Sequence, residues 1–324
     1  MTDPIWPPNF PPQVKLPSTG HLPALLHVFD ARSAWAIQAA LGARRPLLVR
    51  GDPGTGKSQL ARAAAVALGR AFVSEVITAR SESHDLHWRF DAVARLGKAQ
   101  AMCVPGAADA TLLDERLYVS PGALWWVFDW PGAEAQHDKA LVKGARPEAS
   151  EDWKPSRGCV LLIDEIDKAD SDVPNGLLES LGNGEFRVPY FNQAVKCDAK
   201  LPAPLVIITT NEERELPPAF VRRCLVLQLE LPRDEKELED FLVARGRAHF
   251  DKDIHDGVYA AAAKLVIKDR SLLIEKGLVA PGQAEYLDLL RAVLDHAGKD
   301  RTRQGDALEQ MKQFVLQKNP PGAL

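Results

Sequence analysis

Residues Gly51-Asp52-Pro53-Gly54-Thr55-Gly56-Lys57-Ser58 form a glycine-rich turn of the pattern G-x-x-x-x-G-K-[ST], and its flanks constrain the fold more than any other feature of the chain. Before it, Pro46-Leu-Leu-Val-Arg50 reads as a short buried strand; after it, the Ala-rich stretch Gln59 to Leu68 reads as a helix. The other apolar runs, Phe72 to Ile77, Cys159 to Ile163, Leu205 to Thr209 and Cys224 to Leu231, are separated by helical patterns. Strands covered on both faces carry near-continuous apolar runs, and parallel neighbours need long crossovers. An α/β fold is therefore expected, with at least five strands in a parallel sheet and helices flanking it.

From Pro232 onward β-branched runs thin out and helical patterns take over: Glu235 to Arg245, Val258 to Val266, Pro281 to His296 and Asp306 to Gln317. That predicts a small all-helical domain. At the other end, residues 1–26 contain Pro4, Pro7, Pro8, Pro11, Pro12, Pro17 and Pro23, which remove backbone donors and oppose helix. The segment is either an extended arm anchored through Trp6, Phe10 and Leu16 or a disordered tail. The expected division is a proline-rich arm at 1–26, an α/β core at 27–231 and a helical domain at 232–324. A helix from Ala31 to Leu41 leads to Gly42. Within the core, Ser83 to Leu96 looks helical, Tyr118 to Asp129 is rich in bulky apolar residues, and Pro131 to Pro155 reads as a polar surface excursion.

Composition narrows the function. With 324 residues, 46% hydrophobic and 26% charged, the chain has the make-up of a globular protein of about two domains. Its 40 Lys and Arg against 44 Asp and Glu leave a net charge of -4, which argues against general nucleic-acid or membrane binding. Cys103, Cys159, Cys197 and Cys224 form no CxxC pair, so a reducing cytoplasm fits better than a disulfide framework or a zinc knuckle. No apolar run approaches the ~20 residues of a membrane helix.

The glycine turn has the chemistry of a phosphate site. Its backbone N–H groups converge on phosphate oxygens, and the helix that follows adds the positive end of its dipole. Lys57 would reach the β- and γ-phosphates, and the Ser58 hydroxyl would bind Mg²⁺. Val160-Leu-Leu-Ile-Asp164-Glu165 is a buried strand ending in two acids at the edge where open α/β sheets bind ligands. Asp164 would hold the Mg²⁺ shell and Glu165 would act as general base on water. If the strand ending at Asn211 lies between the first strand and the acidic one, the Asn211 amide can orient that water. Arg222 and Arg223 end a short helix just before the next strand, and arginine suits the γ-phosphate of a neighbouring subunit; a solvated helix terminus accounts for them equally simply.

These four motifs in this order, followed by a helical lid, resemble the AAA+ ATPases over roughly residues 25–300. Leu161-Leu-Ile-Asp-Glu-Ile-Asp-Lys-Ala169 and Thr210 to Cys224 look most like the MoxR branch. The resemblance implies a five-stranded parallel P-loop sheet, ATP with Mg²⁺ held by Gly51 to Ser58 and Asp164, and a ring, usually a hexamer, with ATP between neighbours. It also implies Glu165, Asn211 and Arg223, or Arg222 as its alternate, as the catalytic set, and force delivered to a partner that commonly carries a von Willebrand factor A domain. The stretch from Lys57 to Asp164 is longer than a minimal core of that kind, which places an insertion within 78–157. The second-sensor arginine that many relatives carry on the lid is not identifiable: Leu278-Val-Ala-Pro281 has no cation, and Lys276 and Arg291 sit at no motif position.

Three functions compete on this reading: an ATP-driven protein remodeller, a slow nucleotide switch in a signalling or defence complex, and a nucleic-acid motor, which the charge balance disfavours. Preference for ATP over GTP comes from the resemblance alone. His84 and His87 lack further metal ligands. Trp125, Trp126 and Trp130 read as core or interface anchors, since acids rather than clustered cations surround them.

Overall fold

The computed structural model describes residues 6–18, 24–102, 110–278 and 280–316. Cys103, the arm residues 1–5 and 19–23 with Pro4 and Pro23, Val279 and the last lid residues 317–324 lie outside the described residues. The chain divides into two compact units. The first comprises the described residues of 1–11, 29–50 and 58–227; the second comprises those of 12–28, 51–57 and 228–324.

Five apolar runs become one parallel sheet: β1 (Leu47–Arg50), β2 (Ala71–Val76), β3 (Cys159–Asp164), β4 (Leu205–Thr209) and β5 (Leu225–Gln228). Their spatial order is β5-β1-β4-β3-β2. Ile207 lies opposite Leu47 on one side and Leu162 on the other, so β4 runs between β1 and β3 as the reading of Asn211 required. β4 is buried throughout and β3 as far as Asp164, as expected of strands covered on both faces. β5 is shorter than the apolar run from Cys224 to Leu231 that predicted it.

Helix α1 (Ala31–Ala43) begins where the Asp30 carboxylate accepts the Ser33 N–H at 2.7 Å. It runs through Gly42, the expected stop, and ends at Arg44, which takes the left-handed conformation at φ 52° and turns its N–H onto Leu41. Helix α2 (Lys57–Leu68) follows the glycine turn, α3 (Asp172–Asn183) follows the acidic strand, and α4 (Pro218–Val221) is the short helix before β5.

The expected helix from Ser83 to Leu96 is not formed. Trp88–Phe90 is instead a strand paired antiparallel with Val119–Pro121, and a helix spans Ala92–Ala101. Two local preferences explain the break: aromatic residues favour the strand, and Asp91 caps the later helix by accepting the Ala94 N–H at 2.7 Å. The bulky segment forms a helix at Ala123–Phe128, with Trp125, Trp126 and Phe128 buried in one cluster with Leu161, Ile163 and Val206 of the sheet. Part of the expected polar excursion is also ordered: Trp130–Lys139 is a helix, entered through Pro131 and the Asp129 carboxylate, which accepts the Gly132 N–H at 3.0 Å.

In the second unit, part of the proline-rich arm is a strand: Gln13–Leu16 pairs antiparallel with Leu25–Val28. Helices α5 (Glu235–Phe250), α6 (Asp256–Glu275), α7 (Gln283–Ala297) and α8 (Arg301–Leu316) surround a core containing Tyr259, Val266, Tyr286, Leu289, Leu290 and Val293, all fully buried. Gly246 is required where helices meet, since a β-carbon there would lie 2.7 Å from the Tyr286 hydroxyl. No described helix is long and apolar enough to cross a membrane.

Candidate active site

The glycine turn owes its path to three left-handed or otherwise positive-φ glycines: Gly51 at 142°, Gly54 at 78° and Gly56 at 91°. At Gly51 the requirement is also steric, because a β-carbon would sit 2.3 Å from the Leu229 carbonyl oxygen. Lys57 is only 7% exposed, and its ammonium donates to the carbonyl oxygens of Gly51 at 2.6 Å and Asp52 at 3.0 Å. An ammonium curled onto its own loop has donors to exchange for phosphate oxygens without moving out of the turn. Pro53 and Thr55 complete the turn, the Thr55 hydroxyl donating to the Asp52 carbonyl at 2.8 Å.

At the carboxyl ends of β3 and β4, four predicted residues meet in two pairs. The Ser58 hydroxyl donates to Asp164 Oδ1 at 2.8 Å, and the Asn211 amide donates to Glu165 Oε1 at 3.3 Å. Ser58 and Asp164 together present hard oxygen donors, the chemistry that Mg²⁺ takes. Glu165 leaves the strand in the left-handed region at φ 57°, a conformation disfavoured for a residue with a β-carbon and held here by its neighbours. One of those neighbours is Thr209, absent from the sequence reading. Its buried hydroxyl accepts the Glu165 N–H at 2.9 Å and donates to Asp164 Oδ1 at 2.5 Å, so a single side chain fixes both acids. The available signal was Thr209-Thr210 closing an otherwise apolar strand.

The second addition is Asp167, which is 1% exposed. It accepts the Glu213 N–H at 2.9 Å and the Asn211 N–H at a longer 3.4 Å.

Arg222 and Arg223 close α4 with exposed side chains, and among the described residues neither guanidinium has a hydrogen-bonding or ionic partner. Their backbone, in contrast, is tied. Arg45 donates to the carbonyl oxygens of Arg222 at 2.5 Å, Arg223 at 3.0 Å and Cys224 at 3.2 Å. Those carbonyls lie just beyond α4, which ends at Val221, and Arg45 supplies the donors that meet them.

Within the second unit a lid cation does reach the glycine turn, and it is neither Lys276 nor Arg291. Arg270, on the part of α6 beyond the predicted end at Val266, donates to Asp52 Oδ2 at 3.3 Å and to the Pro281 carbonyl at 3.1 Å. Arg291 instead pairs with Asp288 on its own helix. Gly282 precedes α7, where the Glu285 carboxylate accepts the Gly282 N–H at 2.8 Å.

His87 is buried against Phe186 and shares a 2.5 Å hydrogen bond with the Ser180 hydroxyl; burial pushes its pKa down to about 4. The Cys159 and Cys224 thiols are buried and pushed up to about 12 and about 11 by desolvation, which makes them poor nucleophiles. Among the described residues no group of three or more His, Cys, Asp and Glu gathers as a metal site of its own.

Residues 47–232 match the family described as "ATPase family associated with various cellular activities (AAA)". No curated protein matches the chain. Among solved structures, the chain is similar to a point mutant of Thermotoga maritima RuvB at 16% identity and a TM-score of 0.46, covering 89% of this chain and 69% of that one. A second Thermotoga maritima RuvB structure, described as a Holliday junction branch migration motor, aligns at 17% identity and a TM-score of 0.43, over 87% of this chain and 66% of that one.

Proposed function

The chain belongs to the AAA family of ATPases, and from that premise we propose that it couples Mg-ATP hydrolysis in a ring, a hexamer, to remodelling or assembly of a partner protein, in the manner of the MoxR branch. Members of this family bind ATP, typically with Mg²⁺, and generally oligomerise. The observation that carries the proposal is the hydrogen-bonded chain Ser58–Asp164–Thr209 together with Asn211–Glu165, which gathers an oxygen pair suited to a cation and a carboxylate suited to water on adjacent strand ends.

In this reading Gly51 to Lys57 hold the triphosphate, with Asp52, Pro53 and Thr55 shaping the turn and Gly54 and Gly56 allowing its backbone conformation. Lys57 exchanges its two loop carbonyls for phosphate oxygens. Bound Mg²⁺, held through Ser58 and Asp164, supplies neutralisation of the charge that develops on the phosphates. Glu165 takes the proton of the attacking water, and the Asn211 amide orients the Glu165 carboxylate for it. Arg223, with Arg222 as alternate, completes the site of the neighbouring subunit, and their exposed guanidinium groups, without a partner among the described residues, suit that role. The core at 27–231 carries the chemistry and the lid at 232–324 follows nucleotide state. The insertion within 78–157 is the face for the partner, for which a protein with a von Willebrand factor A domain is the first candidate. A cytoplasmic site of action is part of the same proposal, since a reducing compartment suits cysteines that form no CxxC pair.

Two variants test this reading together. Lys57→Ala should weaken ATP binding severely by calorimetry, whereas Glu165→Gln should bind ATP normally and fail to turn it over. Unchanged ATP affinity in the first, or wild-type turnover in the second, would overturn the assignment.

A further inference from the structure

The Asn211–Glu165 contact joins two loops that leave adjacent strands, and both loops are bent. Glu165 sits at φ 57° and Glu212, the residue after Asn211, at φ 60°. Side chains with a β-carbon rarely take this conformation, so something must hold each bend. Around the rim, Arg50 pairs with Glu212 at 3.4 Å, Lys168 with Glu213 at 2.6 Å and Arg214 with Asp170 at 3.0 Å. These pairs are at least partly exposed, where water competes with them. Beneath them lies Asp167, two residues past Glu165 in the turn Ile166–Lys168 and 1% exposed.

We propose that Asp167 is a positioning residue for ATP hydrolysis: its buried carboxylate grips the backbone on both sides of Glu212 and thereby sets the Asn211 amide against the Glu165 carboxylate. Oδ2 accepts the Glu213 N–H at 2.9 Å and Oδ1 accepts the Asn211 N–H at 3.4 Å. A carboxylate removed from water must be met by donors, and these two backbone donors have no strand partner once β4 has ended at Thr209. Each thus satisfies the other. Because Asp167 and Glu165 belong to one short turn, the strut also fixes the loop of Asn211 relative to the very residue that its side chain contacts. Asp167 itself acts on neither water nor phosphate. This proposal rests on the roles given above to Glu165 and Asn211.

The test is a double-mutant cycle in the full-length protein, read as kcat and as ATP affinity. Asp167→Asn keeps the shape but turns one acceptor into a donor facing a backbone N–H, so the Asn211 loop should shift. A misplacement of about 1 Å can cost roughly 10²-fold in rate, and a drop in kcat of that order is expected with ATP affinity unchanged. Asn211→Ala should also lower kcat, and the double variant should be no slower than Asn211→Ala alone, because Asp167 acts through Asn211. Multiplied effects, or wild-type kcat in Asp167→Asn beside a slow Asn211→Ala, would overturn the positioning role and leave the reading of Asn211 standing. Wild-type kcat in Asn211→Ala would overturn that reading, and the proposal with it. Should Asp167→Asn fail to fold, Asp167→Ser, which retains one acceptor oxygen in a smaller side chain, takes its place in the same cycle.

Discussion

The turns beyond β3 and β4 and the turn beyond α4 solve one problem in opposite ways. Both present candidate site residues on short loops at strand ends. In the first pair of turns the fixing groups are buried: Thr209 and Asp167 are each 1% exposed and bond to backbone and side-chain partners. In the second, the fixing group is the exposed Arg45, which holds three consecutive carbonyl oxygens while Arg222 and Arg223 extend into solvent. Removing a partner from a buried polar group leaves it unsatisfied and costs about 1–3 kcal/mol, more when it is charged; an exposed group returns to water at little cost. The difference suits the two tasks proposed above. Water activation needs one fixed geometry, whereas a side chain that serves a neighbouring subunit must adjust as that neighbour moves.

The largest expected effect breaks the comparison at its exposed side. Arg223→Ala should reduce turnover by ~10³–10⁵, the range for an arginine supplied to a phosphoryl-transfer transition state, while ATP binding stays near normal. A solvated helix-end cation would contribute no more than about 1 kcal/mol. Mixing Arg223→Ala with excess Glu165→Gln should restore part of the activity, because some interfaces then combine an intact finger with an intact base. Normal hydrolysis by both Arg223→Ala and Arg222→Ala, or full turnover by a strict monomer, would show that the turn serves no neighbour.

Acid probes the buried side at its far end, where His87 bonds to Ser180 on α3, the helix that follows the acidic turn. The native pKa is about 4 because burial opposes the charged ring, against about 6.5 for the unfolded chain. Between those values the unfolded state binds a proton that the native state refuses, so stability is complete above pH 6.5 and is lost as pH falls toward 4. Urea titrations should show roughly 2 kcal/mol less stability at pH 5 than at pH 7, and His87→Gln should flatten that slope. An unchanged slope in the variant would assign the acid sensitivity elsewhere.

The smallest effect sharpens the comparison. Arg45→Ala should cost no more than about 1 kcal/mol of stability in thermal melts, since its groups are largely solvated. Turnover should nevertheless fall by a few-fold, on the order of the same 1 kcal/mol, because the loop that carries Arg223 loses its tie. A stability loss matching that of a core deletion would erase the distinction between the two turns.

Much of this was legible from residues 51–58, 160–165 and 205–211 alone. A glycine turn between a strand and a helix, and apolar runs that end in acids or amides, are local patterns whose chemistry depends on spacing within a few residues. The same local logic singled out Arg222 and Arg223 as candidates for the neighbouring site. It failed at Ser83 to Leu96, where a helical period concealed the strand Trp88–Phe90, because that strand exists by pairing with Val119–Pro121 some thirty residues on.

What the sequence determined by itself is the set of chemical groups and the alternation that makes a parallel sheet. What only the tertiary structure decided is which groups hold them. Asp167 meets the Asn211 backbone 44 positions away, Arg45 meets Arg223 across 178, and Arg270 meets Asp52 across 218. Asp, Thr and Arg at such positions are ordinary in composition and carry no local pattern. Their partners are mostly backbone carbonyl and N–H groups, which every residue possesses and no sequence marks, so these ties become visible only when strand order and helix packing bring the loops together.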